Sequence, residues 1–289
     1  MPKRASRPKT TRAARPARAK TPKPKAGGLD LWLIDAFTDR PFAGNPAGVC
    51  LLDDPRSDEW MRQVAAEMNQ AETAFLERRR DGYGLRWFTP EVEMNLCGHA
   101  TLASAHYLWE RRHLDPAAEA RFHTRSGLLG AERDGDWIVL DFPSTRATPS
   151  DPPPYLLDAL KAPNAEVLAN GTDYVVVLPS AGKVRDLKPD LRLLSAIEMR
   201  GVIVTAPSDQ DGIDFISRFF GPGVGVDEDS VTGSAHCTLA PYWGERLKLT
   251  SMTGYQASRR GGFVRVELAG DRVRMAGRAV TVLRGTLVA

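Results

Sequence analysis

The chain has 289 residues, of which 42% are hydrophobic and 26% charged, and its mean hydropathy is −0.32. This composition is typical of a soluble protein with one large domain or two smaller ones, and no run of about 18 apolar residues is present to span a membrane. Three scattered cysteines exclude a disulfide framework and a structural zinc site, so we expect a cytoplasmic protein with reduced thiols.

The formal net charge of +3 combines two parts of opposite sign. Residues 1–28 contain ten Lys and Arg and no acid, so the rest of the chain has a net charge of −7. The segment consists mainly of Pro, Ala, Lys, Arg, Ser and Thr, and we predict that it is disordered because it has no apolar surface to bury. Such a block is typical of a solvated extension, and the alternative is non-specific contact with nucleic acid.

The predicted first half spans residues 29–148. Apolar runs and helical spacing predict its elements. The predicted strands are 31–37, 49–52, 74–76, 85–88 and 137–142, and the predicted helices are 58–69 and 98–112. The Pro-rich stretch 143–154 is the most linker-like part of the chain after the basic segment.

The predicted second half spans residues 149–289. Strand and helix patterns alternate until Gly261, and the end is hairpin-like. The last strand-like runs are 263–268, 272–275 and 279–283.

The two halves resemble each other in sequence. Residues 105–114 and 240–249 share an Ala, a Tyr, a Glu, an Arg and a Leu at a constant offset of 135. Earlier in each half, residues 86–90 match residues 218–222. The ordered matches predict two copies of one α/β unit, and the alternative is chance similarity between two helix starts.

Each copy has a turn of small residues that opens an apolar helix, 97–101 in the first half and 232–236 in the second. The first turn of a helix leaves backbone N–H groups unpaired and carries a partial positive charge. Gly98 and Gly233 allow a ligand to approach this backbone closely. We expect the two helix starts to converge on one small carboxylate, although glycine and Ser or Thr at these positions are also ordinary caps.

Three ionisable residues are candidates for a catalytic or binding role near the two helix starts. Glu72 lies at the start of an apolar strand and suits a partly buried general base, whereas the second half has Val204 at about the corresponding place. Asp229 precedes the second helix start and suits the orientation of a polar group, with an ordinary helix-dipole residue as the alternative. His99 lies at the first helix start, where it suits proton transfer or a hydrogen bond.

Other chemistry has weaker support in the sequence. Cys97 precedes the first helix, where a thiol acts as an acid or base or is simply a small buried residue. His99 and His106 are two helical turns apart, too far to bind one metal ion, and we predict no metal site. The glycines of 221–225 lack the strand–turn–helix context of a dinucleotide site.

Together these segments resemble the phenazine-biosynthesis isomerase (PhzF-like) family, and the resemblance extends from about residue 30 to the C-terminus. The motifs that carry it, in chain order, are 35–38, 41–42, 44–46, 72–73, 97–101 and 229–235. The resemblance implies an α+β, diaminopimelate epimerase-like fold. In that fold two pseudo-symmetric halves each curl a β-sheet around a central α-helix. It also implies that residues 275–289 return to the first half and that the protein is a homodimer.

The resemblance implies proton transfer without a metal or cofactor. The residues that it implies as catalytic are Glu72 as the proton shuttle, with His99, Asp229 and Ser234. The residues that it implies in substrate binding are Asn45, Cys97, Gly98, Thr232 and Gly233.

A two-cysteine racemase mechanism is disfavoured by the same resemblance. Diaminopimelate epimerase and proline racemase use one cysteine from each half. Cys97 stands at the first of these positions, but Thr232 stands at the second, and a hydroxyl is too weak an acid to act unaided. We therefore expect an isomerase of a small carboxylate with Glu72 as the base. The alternatives are an epimerase that uses Cys97 with a non-thiol partner, and a non-catalytic binding protein.

Overall fold

The computed structural model describes residues 28–288. Apart from Gly28, the basic segment predicted to be disordered lies outside the described residues, and nucleic-acid contact by this segment stays a prediction. Within residues 28–288 no helix is long and apolar enough to cross a membrane.

Residues 28–288 form eighteen strands and six α-helices. The strands are β1 (Leu29–Ala36), β2 (Asn45–Leu52), β3 (Glu72–Arg79), β4 (Gly82–Phe88), β5 (Glu93–Met94), β6 (Ala120–Thr124), β7 (Gly127–Asp134), β8 (Trp137–Pro143), β9 (Thr148–Pro149), β10 (Glu166–Ala169), β11 (Asp173–Val177), β12 (Gly201–Pro207), β13 (Phe215–Gly221), β14 (Val226–Asp229), β15 (Ser251–Gln256), β16 (Gly262–Ala269), β17 (Arg272–Gly277) and β18 (Ala279–Leu287). The helices are α1 (Asp58–Met68), α2 (Gly98–Glu110), α3 (Leu156–Ala159), α4 (Ala181–Arg185), α5 (Leu191–Leu194) and α6 (Gly233–Leu247), and a short 3-10 turn covers Pro222–Val224.

The strands form one continuous sheet with an internal repeat. The first half has the order β18-β1-β2-β3-β4-β6-β7-β8, and the second has β9-β10-β11-β12-β13-β15-β16-β17. The third and fourth strands of each row are parallel, as are the fifth and sixth, and β5 and β14 pair with equivalent strands. The two rows meet where β8 pairs antiparallel with β17.

The halves exchange strands at their ends. β9 follows β8 along the chain but joins the second row, and β18 follows β17 but joins the first row. The predicted hairpin therefore holds for β16 and β17, whereas β18 pairs antiparallel with β1 from Ala279 to Leu287.

The strand register identifies the counterpart of Glu72 in the second half. In the first half the residue after Glu72 lies opposite Phe88. In the second half the residue after Gly201 lies opposite Phe220, which is the counterpart of Phe88 in the repeat. The expectation that Val204 replaces Glu72 is therefore wrong, and Gly201 occupies that place. Sequence similarity was too weak in this strand to fix a register that backbone pairing decides.

Each row of strands encloses one long helix. Helix α2 is buried on nearly all sides, with ten buried residues, because it is apolar around its whole circumference. Helix α6 has nine buried residues and packs against β15, β16 and β17. These helices share one hydrophobic core, whereas α1 covers the outer face of β3 and α3 to α5 cover that of β12. This arrangement brings the two helix N-termini to the line where the halves meet.

Candidate active site

The N-termini of α2 and α6 meet at their first residues. A Cβ atom placed on Gly98 would lie 3.7 Å from the Cα of Gly233, and the converse distance is the same. The residues that precede the helices, Cys97 and Thr232, are extended and make no side-chain capping bond to the first turn. The first-turn N–H groups of both helices therefore have no side-chain cap from these two residues, and uncapped first turns are groups that can bind an anion.

Glu72 reaches this junction from the first half. It is the first residue of β3, its side chain is 15% exposed, and its Oε2 lies 3.3 Å from Nε2 of His99. Burial raises the pKa of Glu72 from its ordinary 4.5 to about 7, and the nearby charge of Asp229 adds to this effect. A carboxyl group with a pKa close to neutrality can both accept and return a proton.

His99 is neutral at physiological pH. Burial lowers its pKa to about 4, so its contact with Glu72 is not an ion pair. Its Nδ1 lies 3.3 Å from Nδ2 of Asn45 and 3.5 Å from Sγ of Cys97. Asn45 Nδ2 donates its hydrogens to Asp229 Oδ1 and the Val231 carbonyl, so we assign the proton of the neutral His99 ring to Nε2 because this nitrogen faces the Glu72 carboxyl group.

Asp229 lies at the centre of a hydrogen-bond network from the second half. Asn45 Nδ2 donates to its Oδ1 at 2.8 Å, and Thr232 Oγ1 donates to its Oδ2 at 2.6 Å. Gln256 Nε2 donates to its backbone oxygen at 2.9 Å. Burial raises the pKa of Asp229, and the hydrogen bonds from Thr232 and Asn45 oppose that rise. The network joins the start of β2 to the start of α6, so Asp229 is held across the two halves.

Ser234 lies one residue inside α6, the position that His99 occupies in α2. Its Oγ accepts a hydrogen bond of 3.0 Å from Nη2 of Arg200. Arg200 is in turn held by the buried carboxylate of Asp173, to which Nε donates at 2.8 Å and Nη2 also donates. A fixed guanidinium therefore lies beside the second helix start.

The structure brings all nine predicted site residues to this junction: Asn45, Glu72, Cys97, Gly98, His99, Asp229, Thr232, Gly233 and Ser234. Their individual roles stay predictions. Two further residues, Gln256 and Arg200, were missed. Alternation along β15 places Gln256 on the buried face, a signal that was available, whereas Arg200 has no local signal.

The fold also brings together donor groups that the sequence spacing kept apart. One ligand atom each from Glu72, Cys97 and His99 lies within 4.8 Å of the others, so the three could hold a metal ion. The absence of a metal stays a prediction, which the effect of EDTA on proton exchange tests.

Comparison with known proteins identifies the family. The family model described as phenazine biosynthesis-like protein (PhzC-PhzF) matches residues 34–285. An uncharacterized isomerase from Halalkalibacterium halodurans is 50% identical over 259 residues, which cover 89% of this chain and 98% of that protein.

Solved structures are similar over the same part of the chain. A PhzF-family protein from Enterococcus faecalis has a TM-score of 0.87 and 38% identity, and the match covers 91% of this chain and all of the other. A probable proline racemase from Agrobacterium radiobacter has a TM-score of 0.60 at 13% identity, covering 90% and 93%. The predicted α+β, diaminopimelate epimerase-like fold is confirmed. The chain belongs to the phenazine biosynthesis-like (PhzC-PhzF) family and is an isomerase.

Proposed function

We propose that the protein is a cofactor-independent isomerase that moves a proton on a small carboxylate, with Glu72 as the only shuttle. The observation that carries this proposal is the carboxyl group of Glu72, which has a pKa of about 7 and lies against His99 in the first turn of α2, the helix whose N-terminus meets that of α6. A carboxylate whose conjugate acid has a pKa near 7 is a stronger base than an ordinary glutamate and still returns the proton readily.

The proposed reaction has two steps and no net change of charge. The Glu72 carboxylate removes a proton from a carbon conjugated with the substrate carboxylate, so that a C–H bond breaks and an O–H bond forms. The released electron pair spreads toward the substrate carboxylate, whose oxygens are held by the N–H groups of the first turns of α2 and α6. The Glu72 carboxyl group then returns the proton to a different carbon.

The neighbouring groups have supporting roles in this proposal. Among the described residues, Nε2 of His99 makes no well-aligned hydrogen bond, and the nearest acceptor is Oε2 of Glu72 at 3.3 Å. Its N–H can therefore donate to Glu72 or to a substrate oxygen. Asp229 is fixed by three donors and suits a polar substituent of the substrate. The pKa of the Cys97 thiol is raised well above its ordinary value by burial, which disfavours a thiolate base.

Exchange of substrate protons with solvent tests the proposal. Small amino, hydroxy and unsaturated carboxylic acids are incubated with the enzyme in D2O, and deuterium incorporation is followed by NMR. We expect exchange into at least one acid, a loss of about 10³-fold or more in Glu72→Gln, and little change in binding. Glu67→Gln, at an exposed carboxylate on α1, is the matched control.

Two outcomes would overturn the mechanism. One is undiminished exchange in Glu72→Gln, and the other is the absence of exchange with every acid tested. EDTA is added in parallel, and we expect no effect on exchange. Loss of exchange that returns with zinc would instead assign a metal to Glu72, Cys97 and His99.

We also propose that the protein is a cytoplasmic homodimer. Light scattering on the purified protein tests whether it is a dimer.

A further inference from the structure

Arg200 enters the junction next to the counterpart of Glu72. It directly precedes Gly201, which occupies in β12 the place that Glu72 occupies in β3. Its partner Asp173 is 1% exposed, and the pair fixes the guanidinium through two donors on one edge. The second half therefore offers a positioned cation where the first half offers the base.

The guanidinium of Arg200 retains unused donors. Arginine has five N–H groups, of which Asp173 accepts two and Ser234 accepts one. Within residues 28–288 no acceptor is bonded to Nη1, and the side chain is 36% exposed. Both unused N–H groups are on Nη1, because Nη2 donates to Asp173 and to Ser234, and Nη1 can donate to a carboxylate oxygen near the first turn of α6.

The two carboxyl groups at the junction make a nearby cation favourable for binding an anionic substrate. Glu72 and Asp229 are both buried carboxyl groups, and each negative charge there opposes the entry of an anionic substrate. A helix N-terminus supplies only about half a positive charge. Burial raises the pKa of Asp229, and the positive charge of Arg200 is among the effects that oppose this rise, so its field reaches this site. The carboxylate of Asp173 cancels the positive charge of Arg200 for a ligand that is far away. A ligand in contact with the guanidinium is instead bound through hydrogen bonds from its N–H groups.

We propose that Arg200 selects the carboxylate group of the substrate, binding one of its oxygens beside Ser234 while Asp173 positions the guanidinium. This inference rests on the proposed function and narrows it. The substrate is a small carboxylic acid in its anionic form, and the corresponding amide or ester binds more weakly because it has no negative charge to pair with the guanidinium.

The competing explanation is that the Arg200–Asp173 pair only stabilises the fold. Asp173 is the first residue of β11 and lies opposite Gly201, so the pair also joins β11 to β12. A purely structural pair would change the free energy of unfolding without changing which ligands bind. The preference for acid over amide is therefore the readout that separates the two roles.

The test compares matched acids and amides by calorimetry. The probes are acetate with acetamide and benzoate with benzamide, measured against the wild type and the double variant Arg200→Met, Asp173→Asn. The double variant avoids leaving a buried carboxylate without a partner. Arg185→Met is the matched control, because Arg185 pairs with Asp209 at the surface. Arg200→Lys keeps the charge but loses the planar fork.

We expect the wild type to prefer each acid, and the double variant to bind the acid at least about 10-fold more weakly with amide binding unchanged. Arg200→Lys recovers part of the preference, and Arg185→Met retains all of it. An unchanged preference in a folded double variant would overturn the proposal, as would a wild type without preference. Glu72→Gln is expected to keep the preference, so a failed exchange mechanism and a failed selector give different results.

Discussion

The two halves share a backbone and differ in the side chains they bring to the junction. Arg86 binds Glu93 in the first half, and Arg218 binds Glu228 at the equivalent positions in the second. These pairs hold β4 to β5 and β13 to β14. Because both halves retain the pair, we infer that its role is structural.

The groups at the junction show no such match. Glu72 corresponds to Gly201, and Asp229 corresponds to Met94, because the strand partners of Met94 and Asp229 are equivalent in the repeat. Each half therefore supplies one buried carboxyl group that the other lacks. The duplicated backbone therefore supplies two helix starts of similar shape. The residues without a counterpart in the other half make the site chemically asymmetric.

The largest loss outside Glu72 is expected from the second unmatched carboxyl group. Asp229→Asn keeps the shape, removes the charge that adds to the burial in raising the pKa of Glu72, and replaces one of the two oxygens that accept from Asn45 and Thr232 with an NH2 donor. We expect exchange to fall about 10²-fold, measured by deuterium incorporation. Asp227→Asn, exposed in the same strand, is the control. Equal rates for the two variants would remove Asp229 from the mechanism.

The gap between the helix starts is expected to have a binding role. In Gly98→Ala the new methyl group meets its neighbours at 3.7 to 3.9 Å, an ordinary contact, yet it points into the space between the helices. We expect carboxylate binding to weaken at least 10-fold, by rough steric reasoning, while the free energy of unfolding changes by less than about 1 kcal/mol. Gly182→Ala in α4 is the control. Unaltered carboxylate binding in Gly98→Ala would refute anion binding between the two helix N-termini.

The thiol at the first helix start is expected to matter less than the carboxyl groups. Burial and the charge of Glu72 raise the pKa of Cys97, so the thiol is protonated at neutral pH. We expect Cys97→Ala to retain exchange within about 10-fold, in the range of a positioning effect. A loss as large as that of Glu72→Gln would instead favour an epimerase that uses the thiol.

The pair retained in both halves is expected to affect stability alone. Arg218 also donates to the carbonyl groups of Val184 and Leu187. Arg218→Met should lower the free energy of unfolding by about 2 kcal/mol in urea titrations and leave exchange unchanged. Arg185→Met is the surface control. Reduced exchange in a stable Arg218→Met protein would show that the retained pair also serves the chemistry.

Much of this site could be predicted from the sequence because its signals are local. A glycine at the first position of an apolar helix marks each of the two helix starts, and the asymmetry at Glu72 is visible once the repeat is recognised. The contact between Gly98 and Gly233 follows from the pseudo-symmetry of the two halves.

What sequence could not supply depends on distant pairing. Arg200 joins the site only because β11 and β12 are parallel neighbours, which places Asp173 opposite Gly201. Gln256 contacts Thr232 through the backbone N–H and the hydroxyl group, a contact that requires β15 to lie beside α6. No local pattern encodes these approaches.

The pKa of Glu72 also determines how stability depends on pH. Between pH 4.5 and about 7 the folded protein keeps a proton that the unfolded chain releases. This group therefore favours the folded state below pH 4.5 and loses that contribution as the pH rises through 7. Relative to the wild type, Glu72→Gln should gain stability over this interval.

The most direct test of the central claim is the titration of the Glu72 carboxyl carbon by NMR in protein labelled with 13C-glutamate, with Glu72→Gln assigning the signal. We expect a midpoint near pH 7, with the proton bound below it and released above it. A midpoint near 4.5, the ordinary value for glutamate, would contradict the proposal, because the junction would then not raise the pKa of Glu72 and the observation that carries the proposal would be lost.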